Sequence, residues 1–198
     1  TEIRTAIDNI LNQHEMSLGL VTFIEARSEQ KEEYARSDER SFASICQAVA
    51  TAAGAGRAWN MALVDEYALI LEERNEVETV FGMASLPGSV FTPGSLHSCG
   101  IVAWEPHDGD YTELGATIVH EGSHFLGLPH TTEPDGQTFD LFEDTPECWQ
   151  TVYDDDNSGD VDDEECENAD GDNYMFWISS GYNDRFVMSP DQAWALRR

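Results

Sequence analysis

The sequence predicts one α/β (α+β) domain, with an upper α/β subdomain, an irregular lower subdomain and a C-terminal helix. Its length of 198 residues suffices for a single well-buried core. Apolar residues recur at helical or at strand spacing over the first 126 residues. Beyond them glycine, proline and acidic residues prevail until a helical pattern returns near residue 190. We therefore place the upper subdomain at about residues 1–129 and the lower subdomain at about residues 130–198.

Two helical patterns and one strand pattern make up the N-terminal third. Residues 2–13 carry apolar side chains on one helical face, namely those of Ile3, Ala6, Ile7, Ile10 and Leu11. Residues 18–26 are rich in β-branched and aromatic residues, which predicts a strand. A charged stretch, which we expect to be exposed, separates this strand from a second helical pattern over residues 38–53. Gly54 and Gly56 predict the end of that helix.

Three further strands and a long helix are predicted in the middle of the chain. The strand patterns cover residues 61–71, 79–86 and 100–104. Pro87 and Gly88 predict the end of the second of these strands. Asp110 is followed three residues later by Glu113, which predicts a capping box at the start of a helix over residues 111–126.

The C-terminal helix has the strongest start signal in the chain. Ser189 can cap its first turn, Pro190 suits the first helical position, and Gln192 completes a capping box. We expect this helix to run from about residue 190 to the end.

The segment that constrains function most tightly is residues 120–130, which read His-Glu-Gly-Ser-His-Phe-Leu-Gly-Leu-Pro-His. His120 and His124 are four residues apart, so a helix places both imidazoles on one face, where they can bind one metal ion. Gly127 allows the chain to leave the helix and bring up His130. Three neutral nitrogens with one position left open form the ligand set of a catalytic zinc rather than a structural one.

Glu121 lies beside this helix face, where its carboxylate can reach a metal-bound water without binding the metal. The alternative is a helix that carries histidines by chance, but the pattern HExxHxxGxxH requires five matching positions. The segment resembles the zinc signature of the metzincin clan of metallopeptidases. This resemblance implies a zinc-dependent endopeptidase in which Glu121, as general base, activates a zinc-bound water for attack on the peptide bond.

The resemblance extends to segments on both sides of the signature. Residues 172–177 look like the metzincin methionine turn, with Met175 as its methionine. Residues 80–88 and 100–104 are similar to the edge strand and the inner strand that precede the zinc helix. The resemblance thus implies a twisted, mostly parallel sheet with an antiparallel edge strand. An extended substrate would pair with that edge strand at Val80, Gly82 and Ala84.

Two short blocks of sequence resemble a particular group within the clan, and one feature differs from the metzincin pattern. Residues 130–133 and 144–148 are similar to blocks of bacterial secreted relatives near the pappalysins. Metzincins open with a strand ahead of their first helix, whereas this chain has no room for one before its first helical pattern. Either that strand lies upstream, or the register assigned to the N-terminal third is wrong.

The acidic segment over residues 154–165 matches a twelve-residue calcium-binding loop, with glycine at position 6 and a hydrophobic residue at position 8. The expected ligands are the side chains of Asp154, Asp156, Ser158, Asp162 and Glu165, together with the backbone carbonyl of Asp160. The alternative is a solvated acidic loop, which is the usual role of an acidic run. Because flanking helices are not evident, we expect a loop-only calcium site with a structural role.

Four cysteines permit two disulfides in three connectivities. Cys148 and Cys166 flank the acidic loop and are the pair that we expect first, and Cys46 with Cys99 follows by elimination. Disulfides form in oxidising compartments, so we expect a secreted protein. No stretch approaches the about 20 apolar residues that a membrane span requires.

The charge balance is extreme, with 10 basic against 39 acidic residues and a formal net charge of −29. No Lys or Arg occurs between Arg74 and Arg185. Such a field repels nucleic acid and anionic membranes, and it attracts cations or basic polypeptides. Adaptation to salt or solubility, steering of substrates, and bound calcium are three explanations that stay open. We expect a monomer that acts on protein or peptide substrates, without a nucleic-acid partner and without insertion into a membrane.

A different class of function fits the same motif. A catalytically silent metzincin-like domain could serve as a binding or adhesion module. Retention of Glu121 argues against this alternative, because loss of that carboxylate is the simplest way to silence the site.

Overall fold

The computed structural model describes residues 2–53, 59–71, 76–85, 99–178 and 187–197. These residues form a mixed α/β structure with two compact units, one within residues 1–12 and 17–127 and the other within 13–16 and 128–198. The predicted boundary between subdomains, after residue 129, lies two residues beyond the boundary between the units. That the two units make up one catalytic domain stays a prediction.

Most of the regular structure of the described residues belongs to the first unit. Its helices are α1 (Glu2–Asn12), α2 (Ser28–Tyr34), α3 (Phe42–Ala53) and α4 (Tyr111–Phe125). Its strands are β1 (Arg36–Asp38), β2 (Asn60–Val64), β3 (Glu66–Leu71), β4 (Glu76–Val80), β5 (Gly82–Ala84) and β6 (Cys99–Ala103). The second unit has two short helices, α5 (Gln150–Tyr153) and α6 (Pro190–Leu196), among turns and irregular segments. No helix in the described part of the chain has the length and apolar composition of a membrane span.

The strands form two three-stranded sheets, ordered β1-β3-β4 and β2-β6-β5. In each sheet one pair is parallel, β1 with β3 and β2 with β6. The other pair is antiparallel, β3 with β4 and β5 with β6. The expectation of one mostly parallel sheet with an antiparallel edge strand is therefore corrected to two small mixed sheets.

Two bends in the chain explain why the sheet divides. The strand predicted over residues 61–71 bends at Asp65 into β2 and β3. The strand predicted over residues 79–86 begins earlier and bends at Phe81 into β4 and β5, and residue 86 lies outside the described residues. β3 and β4 pair directly, but past the bends their continuations β2 and β5 diverge, and β6 lies between them.

The centre of the first unit is β6, of which all five residues are buried. Ile101 and Ala103 pack with Ala62 and Val64 of β2 and with Ile45 of α3. The other face of the same sheet contacts α4, which packs against both β5 and β6. Because helices cover both faces, β6 is a continuous apolar run without the polar alternation of a half-exposed strand.

Both disulfides join the pairs that the sequence analysis favours. Cys46 of α3 is bonded to Cys99 of β6, with their Cα atoms 5.4 Å apart. Cys148 is bonded to Cys166 across the acidic loop, with a Cα separation of 5.7 Å. In the second unit this bridge packs with Val161 and so contributes to a small core that short helices alone do not supply.

The strand predicted over residues 18–26 is wrong. The segment has no regular structure, and Leu20 and Phe23 are 95% and 64% exposed. A high β propensity expresses the fit of a side chain to a pleated, half-buried surface, and no strand of the described chain offers this segment one. The charged stretch that follows instead contains α2 and β1. The register assigned to this part of the N-terminal third is therefore corrected.

The predicted helices are confirmed with small shifts of their ends. α1 and α4 end one residue earlier than predicted, and a 3-10 turn, Glu39–Ser41, occupies the first part of the helix predicted over residues 38–53. At α6 the capping box is complete: the Ser189 Oγ accepts from the Gln192 N–H, and the Gln192 side chain accepts from the Ser189 N–H.

Candidate metal and catalytic site

Helix α4 carries the first two histidines of the motif, and local signals set its ends. The Asp110 carboxylate accepts hydrogen bonds from the N–H groups of Thr112 at 2.7 Å and Glu113 at 3.2 Å. The capping box is only half formed, because the Glu113 carboxylate lies 3.5 Å from Nδ1 of the buried His107. At the other end Gly127 has a φ of 103°, a left-handed conformation that favours glycine and ends the helix.

A tryptophan fixes the separation between α4 and the sheet. A Cβ atom on Gly100 of β6 would lie 3.1 Å from Cζ2 of Trp59, and one on Gly122 of α4 would lie 3.2 Å from Cζ3 of the same ring. The indole of Trp59 therefore lies against two glycines on facing elements, and its ring is also 6.0 Å from that of Phe125. This packing holds the helix that bears His120 and His124.

The three predicted zinc ligands are brought together. The imidazoles of His120 and His124 are 4.5 Å apart between ring centroids and perpendicular to each other. Each of these histidines and His130 offers a nitrogen atom, and these atoms all lie within 4.8 Å of one another. The cluster could hold a metal ion. Imidazole nitrogens suit zinc, copper, iron and nickel, whereas magnesium and calcium prefer oxygen ligands.

A carboxylate that the sequence analysis did not assign lies against the third histidine. Nδ1 of His130 is 2.9 Å from Oε2 of Glu133. An N–H at this nitrogen would donate to the carboxylate, which leaves Nε2 unprotonated and available to a metal. The signal in the sequence was a glutamate three residues after the last histidine of the motif.

The segment that follows His130 is held by hydrogen bonds within the second unit. The N–H of Thr131 donates to the carbonyl of Met175 at 2.9 Å. The carbonyl of Thr131 accepts from the N–H of Asp140 at 3.1 Å. The Thr132 hydroxyl donates to the carboxylate of Asp170 at 2.7 Å. Burial raises the pKa of the Asp170 carboxyl, and the hydroxyl bond opposes that shift. The segment after His130 is therefore held to Met175, Asp140 and Asp170.

Met175 lies in a tight turn, as the sequence analysis predicts for this segment. Its side chain is fully buried, and its N–H donates to the Asn173 side-chain oxygen at 2.8 Å. The Asn173 amide donates in turn to the Gln192 side chain of α6 at 3.0 Å. The hydrogen bond from Thr131 places this turn beside the residue that follows His130.

Glu121 is buried on the sheet side of α4, with only 5% of its surface exposed. Within the described residues its Oε2 atom has no hydrogen-bond partner. Burial raises the pKa of the Glu121 carboxyl to about 8, because water no longer stabilises its charged form. A cation held by the neighbouring histidines would oppose this shift. A carboxylate with a raised pKa is a stronger base than an exposed one.

The predicted substrate strand is divided between two strands. Val80 ends β4 and pairs with Tyr67 in the first sheet, whereas Gly82 and Ala84 belong to β5. β5 is the last strand of the β2-β6-β5 sheet, so within the described residues one of its edges is open. Gly82 and Ala84 therefore lie on an edge strand, whereas Val80 lies beyond the bend at Phe81, and binding of a substrate to this edge stays a prediction.

The acidic loop brings together three of the predicted calcium ligands. Asp154, Asp156 and Glu165 each offer a carboxylate oxygen, and these oxygens lie within 4.8 Å of one another. The Ser158 hydroxyl instead donates to the Asp160 carbonyl at 2.8 Å, and an Asp162 oxygen accepts from the Glu165 N–H at 3.0 Å.

The loop also has the backbone shape that its glycine predicted. Gly159 adopts a φ of 95°, and Val161 is fully buried. The sharp turn at position 6 and the apolar position 8 are thus both present in the structure.

No protein-family model matches the sequence, and no curated protein matches it with statistical significance. The similarity to metzincins therefore rests on the residues of this chain alone.

Proposed function

We propose that the protein is a secreted zinc-dependent endopeptidase that hydrolyses peptide bonds in protein or peptide substrates. One observation carries the proposal: nitrogen atoms of His120, His124 and His130 lie within 4.8 Å of one another, and Glu121 directly follows the first of them in α4. Three imidazoles and an adjacent carboxylate supply the ligands and the base that a hydrolytic zinc site requires.

Each residue of the cluster has a separate role in this proposal. The three histidines would hold the ion, and Glu133 would keep the His130 ring in the tautomer whose Nε2 is unprotonated. When bound, zinc lowers the pKa of a coordinated water toward neutrality and polarises the carbonyl of the scissile bond. Glu121 accepts the proton of the attacking water and delivers it to the departing amine. Its position directly after His120 in α4 supports this role.

The substrate would bind in an extended conformation along β5. A peptide added to the open edge of this strand makes main-chain hydrogen bonds that do not depend on its sequence. The net charge of −29 favours substrates with basic residues and disfavours nucleic acid. We propose that the protein acts as a monomer, with the Met175 turn in the role of the metzincin methionine turn.

Two further parts of the proposal concern compartment and calcium. The disulfides Cys46–Cys99 and Cys148–Cys166 support secretion, because oxidising compartments permit both. The carboxylates of Asp154, Asp156 and Glu165 support a structural calcium ion, which would neutralise their mutual repulsion.

The experiment that tests the enzyme compares the wild-type protein with Glu121→Gln. We expect wild-type protein to contain one zinc per chain by elemental analysis and to cleave a denatured protein or a peptide library. Cleavage should stop with 1,10-phenanthroline and return with added zinc. Glu121→Gln should keep its zinc and lose at least about 100-fold in kcat, the usual range for a general base.

The alternative, a catalytically silent binding or adhesion module, predicts a different result. Full zinc occupancy together with no turnover by wild-type protein on the library would support that alternative. If the wild-type protein contains no zinc, and replacement of His120 and His124 leaves its metal content unchanged, both functions are contradicted.

A further inference from the structure

A glycine of β5 faces the carboxylate of Glu121. A Cβ atom built on Gly82 would lie 2.7 Å from Oε1, 2.8 Å from Cγ and 2.9 Å from Cδ of that side chain. Non-bonded carbon atoms are attracted only down to about 3.5 Å, so a side chain at this position would overlap with Glu121. The φ of Gly82 lies outside the left-handed region, so the backbone does not require glycine here. Glycine is required instead by the lack of space beside Glu121, as is usual where another part of the protein closely approaches a strand glycine.

The strand cannot easily move away from the helix to relieve such an overlap. Gly82 is paired with Val102 of β6, which is fully buried. The neighbouring Phe81 accepts a hydrogen bond from the Ala103 N–H at 2.8 Å, and its ring packs on that of His107 at 5.0 Å. The helix is fixed in turn by the indole of Trp59, which lies against Gly100 and Gly122. Glu121 thus lies between two elements whose separation is set independently of it.

We propose that Gly82 is a positioning residue for Glu121: the missing side chain creates the space that the carboxylate occupies, and β5 forms one wall of that space. The inference rests on the proposed function, in which Glu121 is the general base. It assigns to β5 a second role beside substrate binding, because the strand that pairs with the peptide also determines where the base lies.

The test is the substitution Gly82→Ala, with Gly115→Ala as a matched control. A Cβ atom on Gly115 would lie 2.7 Å from Cβ of Ala6. This distance is as short as that at Gly82, and Gly115 lies on α4, the helix of Glu121, but away from that residue. We expect Gly82→Ala to lower kcat at least about 10-fold, since small displacements of a catalytic group have large effects on rate. The KM and the zinc content should change less than about twofold. Gly115→Ala should keep the wild-type kcat per folded molecule.

A second measurement does not depend on activity. In urea unfolding, Gly82→Ala should lower the midpoint in the wild-type background and leave it unchanged in the background of Glu121→Ala, because the overlapping side chain is then absent. Gly115→Ala should lower the midpoint equally in both backgrounds.

The outcomes separate this inference from the proposed function. If the wild-type enzyme cleaves peptides and Gly82→Ala retains its kcat, or if the midpoint shift is the same in both backgrounds, the positioning role is overturned while the proposed function stands. If the wild-type protein binds zinc without turnover, the proposed function fails, and with it the catalytic meaning of the contact. The unfolding cycle would still show whether the contact exists.

Discussion

Two glutamates near the histidine cluster have opposite environments, and their environments suit different roles. The side chain of Glu133 is 37% exposed and pairs with the imidazole of His130. Glu121 is almost fully buried and has an oxygen without a hydrogen-bond partner in the described chain. A solvated carboxylate that pairs with an imidazole can orient that ring, whereas a buried carboxylate with a raised pKa can take up a proton.

The role proposed for Glu133 predicts a loss of metal affinity on mutation. Glu133→Gln should weaken zinc binding by about 10- to 100-fold, because the ring of His130 loses the charged partner that fixes its orientation. The measurement is competition with a chromogenic chelator at constant pH. Asp135→Asn, two residues away and also at the surface, removes the same charge without contact to the histidine and is the control. Equal effects of the two substitutions would contradict the assignment.

The burial of Glu121 predicts how the metal-free protein responds to pH. Its pKa is about 8 in the folded chain against an ordinary value of 4.5, so the folded state binds more protons between these two pH values. The free energy of unfolding should therefore fall as pH rises from about 4.5 to 8, by a few kcal/mol at most. In Glu121→Gln this decrease should be absent. The measurement is urea unfolding of chelator-treated protein at several pH values, and parallel curves for both proteins would contradict the prediction.

Among helices and strands, the features that depend on residues close in sequence were predicted best. The starts of α4 and α6 were predicted because Asp110 and Ser189 bond N–H groups two or three residues away. The strand over residues 18–26 was predicted wrongly because a strand requires a partner from a distant part of the chain. The bends at Asp65 and Phe81 were missed for the same reason, since the strands on their far sides, β2 and β5, pair with the distant β6.

In the candidate site, too, only the features that depend on residues close in sequence were predicted. Helical periodicity predicted that His120 and His124 share a face, and Gly127 predicted the turn toward His130. The contact between Gly82 and Glu121 joins residues of two different elements, and no local pattern reports it. The interpretation of residues 172–177 as a methionine turn depended on the histidine motif and not on their own sequence.

The acidic loop is the element whose behaviour calcium should change. If Asp156 and Glu165 bind the ion, calcium at about 100 times its dissociation constant stabilises the fold by about 2.7 kcal/mol. We expect a rise of several degrees in the Tm of the wild-type protein, measured by calorimetry. Asp156→Asn should remove most of this rise.

The control for the loop is Asp155→Asn, which removes the same charge from the neighbouring residue. Asp155 is not part of the carboxylate cluster, and its N–H donates to Glu165 Oε1. This variant should keep the response to calcium. A rise of the same size with equal ionic strength of sodium chloride would indicate screening rather than a bound ion.

Charge is the property that belongs to the whole molecule. With 39 acidic and 10 basic residues, most carboxylates lack a cationic partner in the sequence as a whole. Their repulsion destabilises the folded state and is screened within about 10 Å at 0.1 M salt. Adaptation to salt and steering of substrates both follow from such a field, but they predict different kinetics.

The two explanations separate in the salt dependence of catalysis. If the field steers substrates, kcat/KM for a peptide with several lysines should fall several-fold between 0.05 and about 0.5 M sodium chloride, because screening removes the attraction. A matched peptide with glutamines in place of the lysines should show little change. If the charge serves only stability in salt, kcat/KM for both peptides should follow the folded fraction and rise together. Stopped-flow cleavage of fluorogenic peptides at fixed pH distinguishes the two, because the ratio of the two kcat/KM values cancels any effect of salt on folding.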